Sequence, residues 1–396
     1  MDSTENRKVL AKEIKDYLLD DMLKCWEERT VDNVYGGYIT DFDRKWNINS
    51  YNKGAWGQAR QIYTFSAAYE KLEQDEKWKR MAKVGIDFML NKMYAKNGRF
   101  NYLVSREGDV LDGTISVFSD AFFISGLAKY ISVFGEKKYI LILDELFETY
   151  KKNILDENFS DYAPFRSGKD IINHSGNMIA FSTAYEVQKV LGRDATEDLI
   201  TRSIKNIFDV LYDEKTNLIY ELKEKDGSFI EGGNSRIVTV GHNYETLWFV
   251  LEYAIERGDE ALIEKIKSIA ETLNVVGKDK KGDSVYAIDP YGDGVKFTTW
   301  KYEVPFNMDD IVSWAYAEEM VLWAKLWALT KEEKYYFRFK KIYDFCKEHF
   351  EDKEYGDWFH SLDNNYNVNH DFKGSTVKSA YHMPRALMRI IDSLSE

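Results

Sequence analysis

Long stretches of this chain place apolar residues three and four positions apart, the spacing that gathers them on one face of an α-helix. Twelve such stretches can be read, over 5–28, 55–73, 76–93, 117–134, 137–153, 176–191, 196–213, 242–257, 259–274, 311–329, 332–350 and 380–394. Only four prolines occur in 396 residues, and proline is the residue that most strongly breaks a helix interior. The pattern therefore predicts an all-α protein. Helix ends carry the expected punctuation, as at Phe134-Gly135-Glu136 and Glu256-Arg257-Gly258-Asp259.

Connections alternate in length along the chain. Those after even-numbered helices are short, whereas those after odd-numbered helices are long and resemble one another. Tyr35-Gly36-Gly37-Tyr38-Ile39-Thr40-Asp41, Asn97-Gly98-Arg99-Phe100-Asn101-Tyr102, Asn217-Leu218-Ile219-Tyr220-Glu221-Leu222 and Tyr355-Gly356-Asp357-Trp358-Phe359-His360 each read as a short strand. Most run into a polar turn such as Arg106-Glu107-Gly108-Asp109 or Asp226-Gly227. Six helix pairs with decorated loops always on one side predict an (α/α)6 barrel, a single domain over 1–396. Even-numbered helices would form the inner ring, and the long loops, with short β-hairpin-like pieces, would build one open face.

Composition limits what such a barrel can do. With 44% hydrophobic and 15% aromatic residues the chain can bury a large core. A formal charge of -13 argues against nucleic acid or an anionic membrane surface as partner. Cys25 and Cys346 lie far apart and suggest neither a disulfide framework nor a metal site. The opening Met1-Asp2-Ser3-Thr4-Glu5 is polar, and no run approaches membrane-spanning length. The expectation is a soluble cytoplasmic protein acting on a small molecule, with a homodimer left open. Gly232-Gly233-Asn234 leads into Arg236-Ile237-Val238 rather than a phosphate-binding helix, and no Gly-x-Ser-x-Gly elbow occurs. No His-x-x-x-His or Cys-x-x-Cys pair is present. Neither a metal nor another cofactor is expected.

If even-numbered helices start at the open face, their first turns should hold the reactive groups, and they do. Arg60 follows Gln58-Ala59 on the second helix, Asp120 opens the fourth and Asn177 the sixth. His242-Asn243-Tyr244-Glu245 opens the eighth, Trp314 and Glu318 lie on the tenth, and Tyr381-His382 opens the twelfth. Histidine titrates near neutral pH, so two histidines facing one small substrate can act as paired general acid and base. Blander readings stand beside these. Asp120 would serve as a helix cap, Arg60 would pair with Asp120 or Glu318 in a buried network, and Glu245 would orient His242. Trp56, Trp314, Tyr316 and Trp358 lie near the open face, where they could stack on a sugar ring. His174, His349, His370, Glu354 and Asp357 read as surface residues.

In its motifs the chain resembles the N-acylglucosamine 2-epimerase family, over nearly its whole length. The resemblance runs through Tyr35-Gly36-Gly37-Tyr38, Gly57-Gln58-Ala59-Arg60-Gln61 and Phe118-Ser119-Asp120. It continues through Gly241-His242-x-x-Glu245-x-x-Trp248, Trp314-x-x-x-Glu318, Glu354-Tyr355-Gly356-Asp357-Trp358-Phe359, Lys373-Gly374 and Lys378-x-x-Tyr381-His382-x-Pro384-Arg385. It implies an (α/α)6 barrel that interconverts C2 epimers of sugars, or aldoses and ketoses, without metal or oxidising cofactor. By the same resemblance His242 and His382 match the catalytic pair, and Arg60, Glu245 and Glu318 match site residues. Ile179 and Ser182 stand where the cellobiose-epimerase and mannose-isomerase branches look to carry His and Glu. The acylglucosamine branch also lacks that His, so the departure leans towards an N-acetylated sugar. Against it, Ser313-Trp314 replaces a family pair of tryptophans, and the Asp310-Ile311 region lacks the usual basic residue.

The implied reaction is exchange of the C2 hydrogen of an open-chain sugar through an enediolate, with Arg60 as oxyanion partner. N-acetylglucosamine and N-acetylmannosamine are the expected pair; cellobiose, mannobiose or mannose-type substrates are the alternative. More distant readings are a glycoside hydrolase using Glu318 with Asp120 or Asp357 and a non-catalytic sugar-binding barrel.

Overall fold

In a computed structural model, residues 3–114, 116–156, 159, 170–230, 236–292 and 307–395 are described. Helices form where the apolar spacing places them, generally within two or three residues of the expected ends. The first, α1, comprises Ser3–Tyr17, a π-helical turn Leu18–Met22 and Leu23–Glu27. Then follow α2 (Ala55–Lys71), α3 (Glu76–Phe88, continuing through the π-helical Met89–Met93) and α4 (Val117–Phe134). Next come α5 (Ile140–Leu155, after a 3-10 turn), α6 (His174–Leu191), and α7 (Glu197–Lys205 with the π-helical Asn206–Leu211). The last five are α8 (Val240–Arg257), α9 (Glu260–Val276), α10 (Ser313–Thr330), α11 (Glu333–His349) and α12 (His382–Ser395). Local chemistry sets many of the ends. Asp75, Ser116, Asn173 and Asp259 accept backbone N–H bonds as N-caps, and Gly135 closes α4 in the left-handed region.

Even-numbered helices pack side by side, α2 on α4, α4 on α6, α6 on α8, α8 on α10, α10 on α12, and α12 back on α2. Each odd-numbered helix lies outside its hairpin partner or, for α1, against α12. The barrel expectation holds. Inner helices are apolar nearly all round because they are buried all round; on α10 every residue from Ala315 to Ala324 is buried. The same cause corrects one sequence expectation. The 18 residues of α4 are long and apolar enough to cross a membrane by composition, but α4 is a mostly buried inner helix of the barrel.

At the carboxyl ends of the inner helices, charges bridge the ring. Glu70 of α2 pairs with Lys129 of α4 at 2.6 Å, and Glu186 of α6 accepts from the Tyr63 hydroxyl of α2 at 3.1 Å and from Lys189 on its own helix at 3.0 Å. Glu252 of α8 pairs with Lys325 of α10 at 2.6 Å and with Arg389 of α12 at 3.2 Å.

The opposite, open face is built by the long loops, which are stitched together. A short strand before an inner helix pairs antiparallel with a strand of the next long loop: Lys53–Gly54 with Leu103–Val104, Ile171–Asn173 with Leu222–Glu224, Val238–Thr239 with Ala287–Ile288, and Ile311–Val312 with Ser361–Leu362. Two loops carry the same clamp. Asp32 accepts from buried Lys53 at 2.9 Å and from Arg106 of the following loop at 2.8 and 3.0 Å. Asp352 accepts from buried Lys373 at 2.9 Å and from Arg44 of the adjoining loop at 2.9 and 3.0 Å.

Candidate active site

In the first turns of α2, α8, α10 and α12 one side chain each is partly rather than fully buried: Arg60, His242, Trp314 and His382. These helices are otherwise enclosed by their neighbours, so a half-exposed side chain there faces the cavity at the open end. Trp314 ties two of the others together. Its ring centroid lies 5.5 Å from that of His242 and 5.4 Å from that of His382, so the imidazoles flank one indole. Gly241 permits this approach, because a Cβ there would come within 2.6 Å of the Trp314 ring. The Gly-His pair at the start of α8 thus has a steric reason.

His382 is held from behind. Its Nδ1 lies 2.7 Å from Oε1 of Glu318 and 4.0 Å from Oε1 of Glu245. Glu318 also accepts from Nε1 of Trp248 at 2.7 Å, and Nη2 of Arg385 donates to Glu318 and Glu245 at 2.7 and 2.5 Å. Nη2 of Arg385 lies 3.4 Å from the same Nδ1, but a carboxylate only accepts and Glu318 is much the nearer group, which assigns the proton to Nδ1 and the lone pair to Nε2. Burial pushes the Glu318 carboxyl up, against the charge of Arg385. Burial also drives His382 well below the usual histidine value; Glu245 opposes this, while Arg60 and Arg385 add to it. The ring is neutral at neutral pH. Glu245, expected to orient His242, serves His382 and Arg385 instead.

His242 has a different partner, which the sequence reading missed. Its Nδ1 lies 2.9 Å from Oε1 of Glu221, in the loop between α7 and α8. Pairing of Leu222 with Asn173 brings this loop onto the start of α6. There His174, expected on the surface, is fully buried, its ring centroid 6.1 Å from that of His242. A lone acid inside the apolar run Leu218-Ile219-Tyr220-Glu221-Leu222 was the available signal.

Arg60 lies over the rings of Phe122, Tyr381 and Trp56 at 4.2, 5.1 and 5.3 Å and donates to the carbonyl of Val377 at 2.8 Å. It pairs with neither Asp120 nor Glu318, but its charge acts on both Glu318 and His382. Two expected site residues are engaged elsewhere. Asp120 is buried and accepts from Nε of Arg99 at 2.8 Å and from the Phe100 N–H at 2.9 Å, anchoring the loop before α4. Asn177 donates to the Asn173 carbonyl at 2.7 Å and accepts from Asn206 of α7 at 2.8 Å. Tyr316 packs on Phe345 and Trp358 on Phe350, both buried, so neither offers a face to a sugar. Asp357 is also buried rather than surface-exposed, accepting from Trp26 at 3.1 Å. Glu354 is exposed, and His349 and His370 are half-buried.

Glu245, Glu318 and His382 each offer one ligand atom, and these lie within 4.8 Å of one another, a spacing a metal ion could use. Arg385 already places a fixed cation against both carboxylates.

A family model described as N-acylglucosamine 2-epimerase (GlcNAc 2-epimerase) matches residues 37–386. The chain is 22% identical to the N-acylglucosamine 2-epimerase of Mus musculus, covering 93% of this chain and 88% of the relative. It is 23% identical to the cellobiose 2-epimerase of Bacteroides fragilis, covering 97% and 99%. Among solved structures it is similar to a sugar epimerase from a ruminal bacterium, with a TM-score of 0.83 and 21% identity over 97% of this chain and 98% of that one.

Proposed function

We propose that this chain, which belongs to the N-acylglucosamine 2-epimerase family, interconverts C2 epimers of an open-chain sugar with His242 and His382 as the proton-transfer pair. The observation that carries this reading is that both imidazoles flank Trp314, and each has Nδ1 against a carboxylate. With Nδ1 turned to a carboxylate, Nε2 is the nitrogen of each ring that would exchange a proton with substrate.

The hydrogen on C2, beside the C1 carbonyl, is weakly acidic. One neutral imidazole removes it, and the electron pair moves onto the carbonyl oxygen as an enediolate. Arg60, whose charge reaches this region, stabilises the oxygen. The opposite imidazolium then gives C2 a proton on the other face, the carbonyl re-forms, and the configuration is inverted. Each turnover exchanges the protonation states of the two rings, which reset through solvent. A base starts neutral, and burial of His382 favours that form.

N-acetylglucosamine and N-acetylmannosamine are the proposed pair. Ile179 is a buried apolar residue and Ser182 bonds back to the Ile179 carbonyl at 3.2 Å, so neither supplies an extra acid or base. The test is incubation of N-acetylglucosamine, N-acetylmannosamine, glucose, mannose and cellobiose in deuterated water, read by NMR. Deuterium at C2 of the N-acetylated pair supports the full proposal. Exchange in another aldose reassigns the substrate, and exchange in none rejects the epimerase reading.

A further inference from the structure

The two histidines are not held alike, and the difference lies in the carboxylate behind each. Glu318, behind His382, is shared among Nδ1 of that ring, Nε1 of Trp248 and the Arg385 guanidinium. Much of its charge is spent on a permanent cation. Glu221, behind His242, has no such competitor among the described residues. Its Oε1 lies 2.9 Å from Nδ1 of His242 and 3.7 Å from Nδ1 of His174, and its Oε2 accepts from nothing described. Both its charged-state neighbours are imidazoles.

His174 completes the arrangement. Its Nε2 lies 2.8 Å from the Thr246 hydroxyl. If Thr246 donates to Nε2, the His174 proton sits on Nδ1, facing Glu221. A second imidazole then points its N–H dipole at the carboxylate from the side away from the cavity. The backbone fixes the spacing, because the His174 N–H donates to the Glu221 carbonyl at 2.9 Å and the Glu221 N–H to the Ile237 carbonyl at 3.0 Å. The titratable groups described around His242 are thus Glu221, His174, Glu245 and His382. Burial works against the charge on Glu221, but His242 and His174 outweigh it and hold the carboxyl well below its usual range. His174 is itself pushed down by burial, against Glu221.

From this geometry we infer that Glu221 is the positioning residue of His242, fixing its Nδ1–H tautomer and making it the stronger base of the two histidines. A carboxylate facing an imidazole stabilises the imidazolium that forms when C2 is deprotonated. On the other side the charges of Arg385 and Arg60 offset the help that Glu318 and Glu245 give His382. The two half-reactions are therefore unequal, and deprotonation through His242 is the faster. This inference rests on the epimerase reading only for its kinetic part.

The test is 15N NMR of histidine-labelled protein, wild type and Glu221→Gln, with exchange of the C2 hydrogen of N-acetylglucosamine and N-acetylmannosamine in deuterated water. In the wild type His242 should show the Nδ1–H tautomer. In E221Q that tautomer should lose its preference, and His242 should titrate roughly one pH unit or more lower, the effect of removing an adjacent opposite charge. Exchange from the epimer that uses His242 should fall about 10–100-fold, the usual loss when a partner orienting a site histidine is removed. Exchange from the other epimer should change much less, and Glu221→Asp should recover part of the loss. An unchanged tautomer and titration in E221Q would overturn the inference. If that variant does not fold, wild-type His242 carrying its proton on Nε2 would overturn it equally. Neither NMR reading depends on the sugar. If they come out as stated while the wild type exchanges the C2 hydrogen of no aldose, the epimerase reading fails and the positioning of His242 stands.

Discussion

Nδ1 of His382 and Oε1 of Glu318 lie 2.7 Å apart, and Arg385 bonds the same carboxylate oxygen at 2.7 Å. One acceptor thus sets the tautomer of the imidazole and holds the guanidinium behind it. Glu318→Gln keeps the shape and an acceptor for Trp248 but removes the charge. Epimerisation should fall about 10–100-fold with little change in KM, because the group acts through His382 rather than on the sugar. Steady-state rates checked against the thermal stability of the variant decide it. An unchanged kcat would remove Glu318 from the site.

Trp314 is the wall shared by both imidazoles. Trp314→Ala should raise KM and lower kcat together, since both bases lose their lateral support, whereas Trp314→Phe should keep a larger part of each. Kinetics on the two variants separates a stacking surface from a merely buried side chain, for which both would act through stability alone.

Helices were legible because their signal is local. Apolar spacing placed α2 within two residues, 55–73 against Ala55–Lys71, and the alternating loop lengths revealed which helices form the inner ring. His242, Trp314, Glu318 and His382 were legible for the same reason, since position in the first turns gives height in the barrel. Height does not give direction. Each helical residue turns the side chain by about 100°, so Asp120 and Asn177, at the right height, bond to Arg99 and Asn206 instead. Glu221 stood out only as a lone acid in an apolar run, and its place behind His242 was not legible because it depends on pairing between Leu222 and Asn173, distant in sequence. Arg385 stood inside a recognised motif, but its salt bridges to two other helices do not follow from spacing along its own.

Histidine burial predicts how stability responds to acid. Burial holds His174, His360, His370 and His382 below the ordinary histidine value. Unfolding lets each take up a proton near pH 6.5 that the folded state refuses. Their contribution is therefore present above about pH 6.5 and is lost as pH falls from there towards the depressed folded values, before most carboxylates titrate. Urea unfolding between pH 8 and 5 should show stability falling below about pH 6.5, with a shallower slope in His360→Gln. A flat profile down to about pH 5 would contradict the burial of these rings.

The loop clamps give a separate stability test. Lys53 and Asp32 have fully buried side chains 2.9 Å apart. Asp32→Asn would leave the Lys53 ammonium without its counter-charge and should cost about 3–5 kcal/mol, the usual penalty for breaking a buried pair from one side. Asp352→Asn should do the same through Lys373. Chemical denaturation measures both, and losses below about 1 kcal/mol would mean that the loops are not held by these clamps.

The central claim is that His242 and His382 serve opposite faces of C2, and exchange in single variants tests it most directly. His242→Asn and His382→Asn should each abolish interconversion of N-acetylglucosamine and N-acetylmannosamine while sugar binding persists. Removal of a general base typically costs about 10²–10⁴-fold, so residual exchange will be slow. Deuterium should still enter C2 from one epimer only in each variant, and the epimer that exchanges should differ between the two. Loss of exchange from both epimers alike in both variants would contradict the account and leave one base with a structural partner.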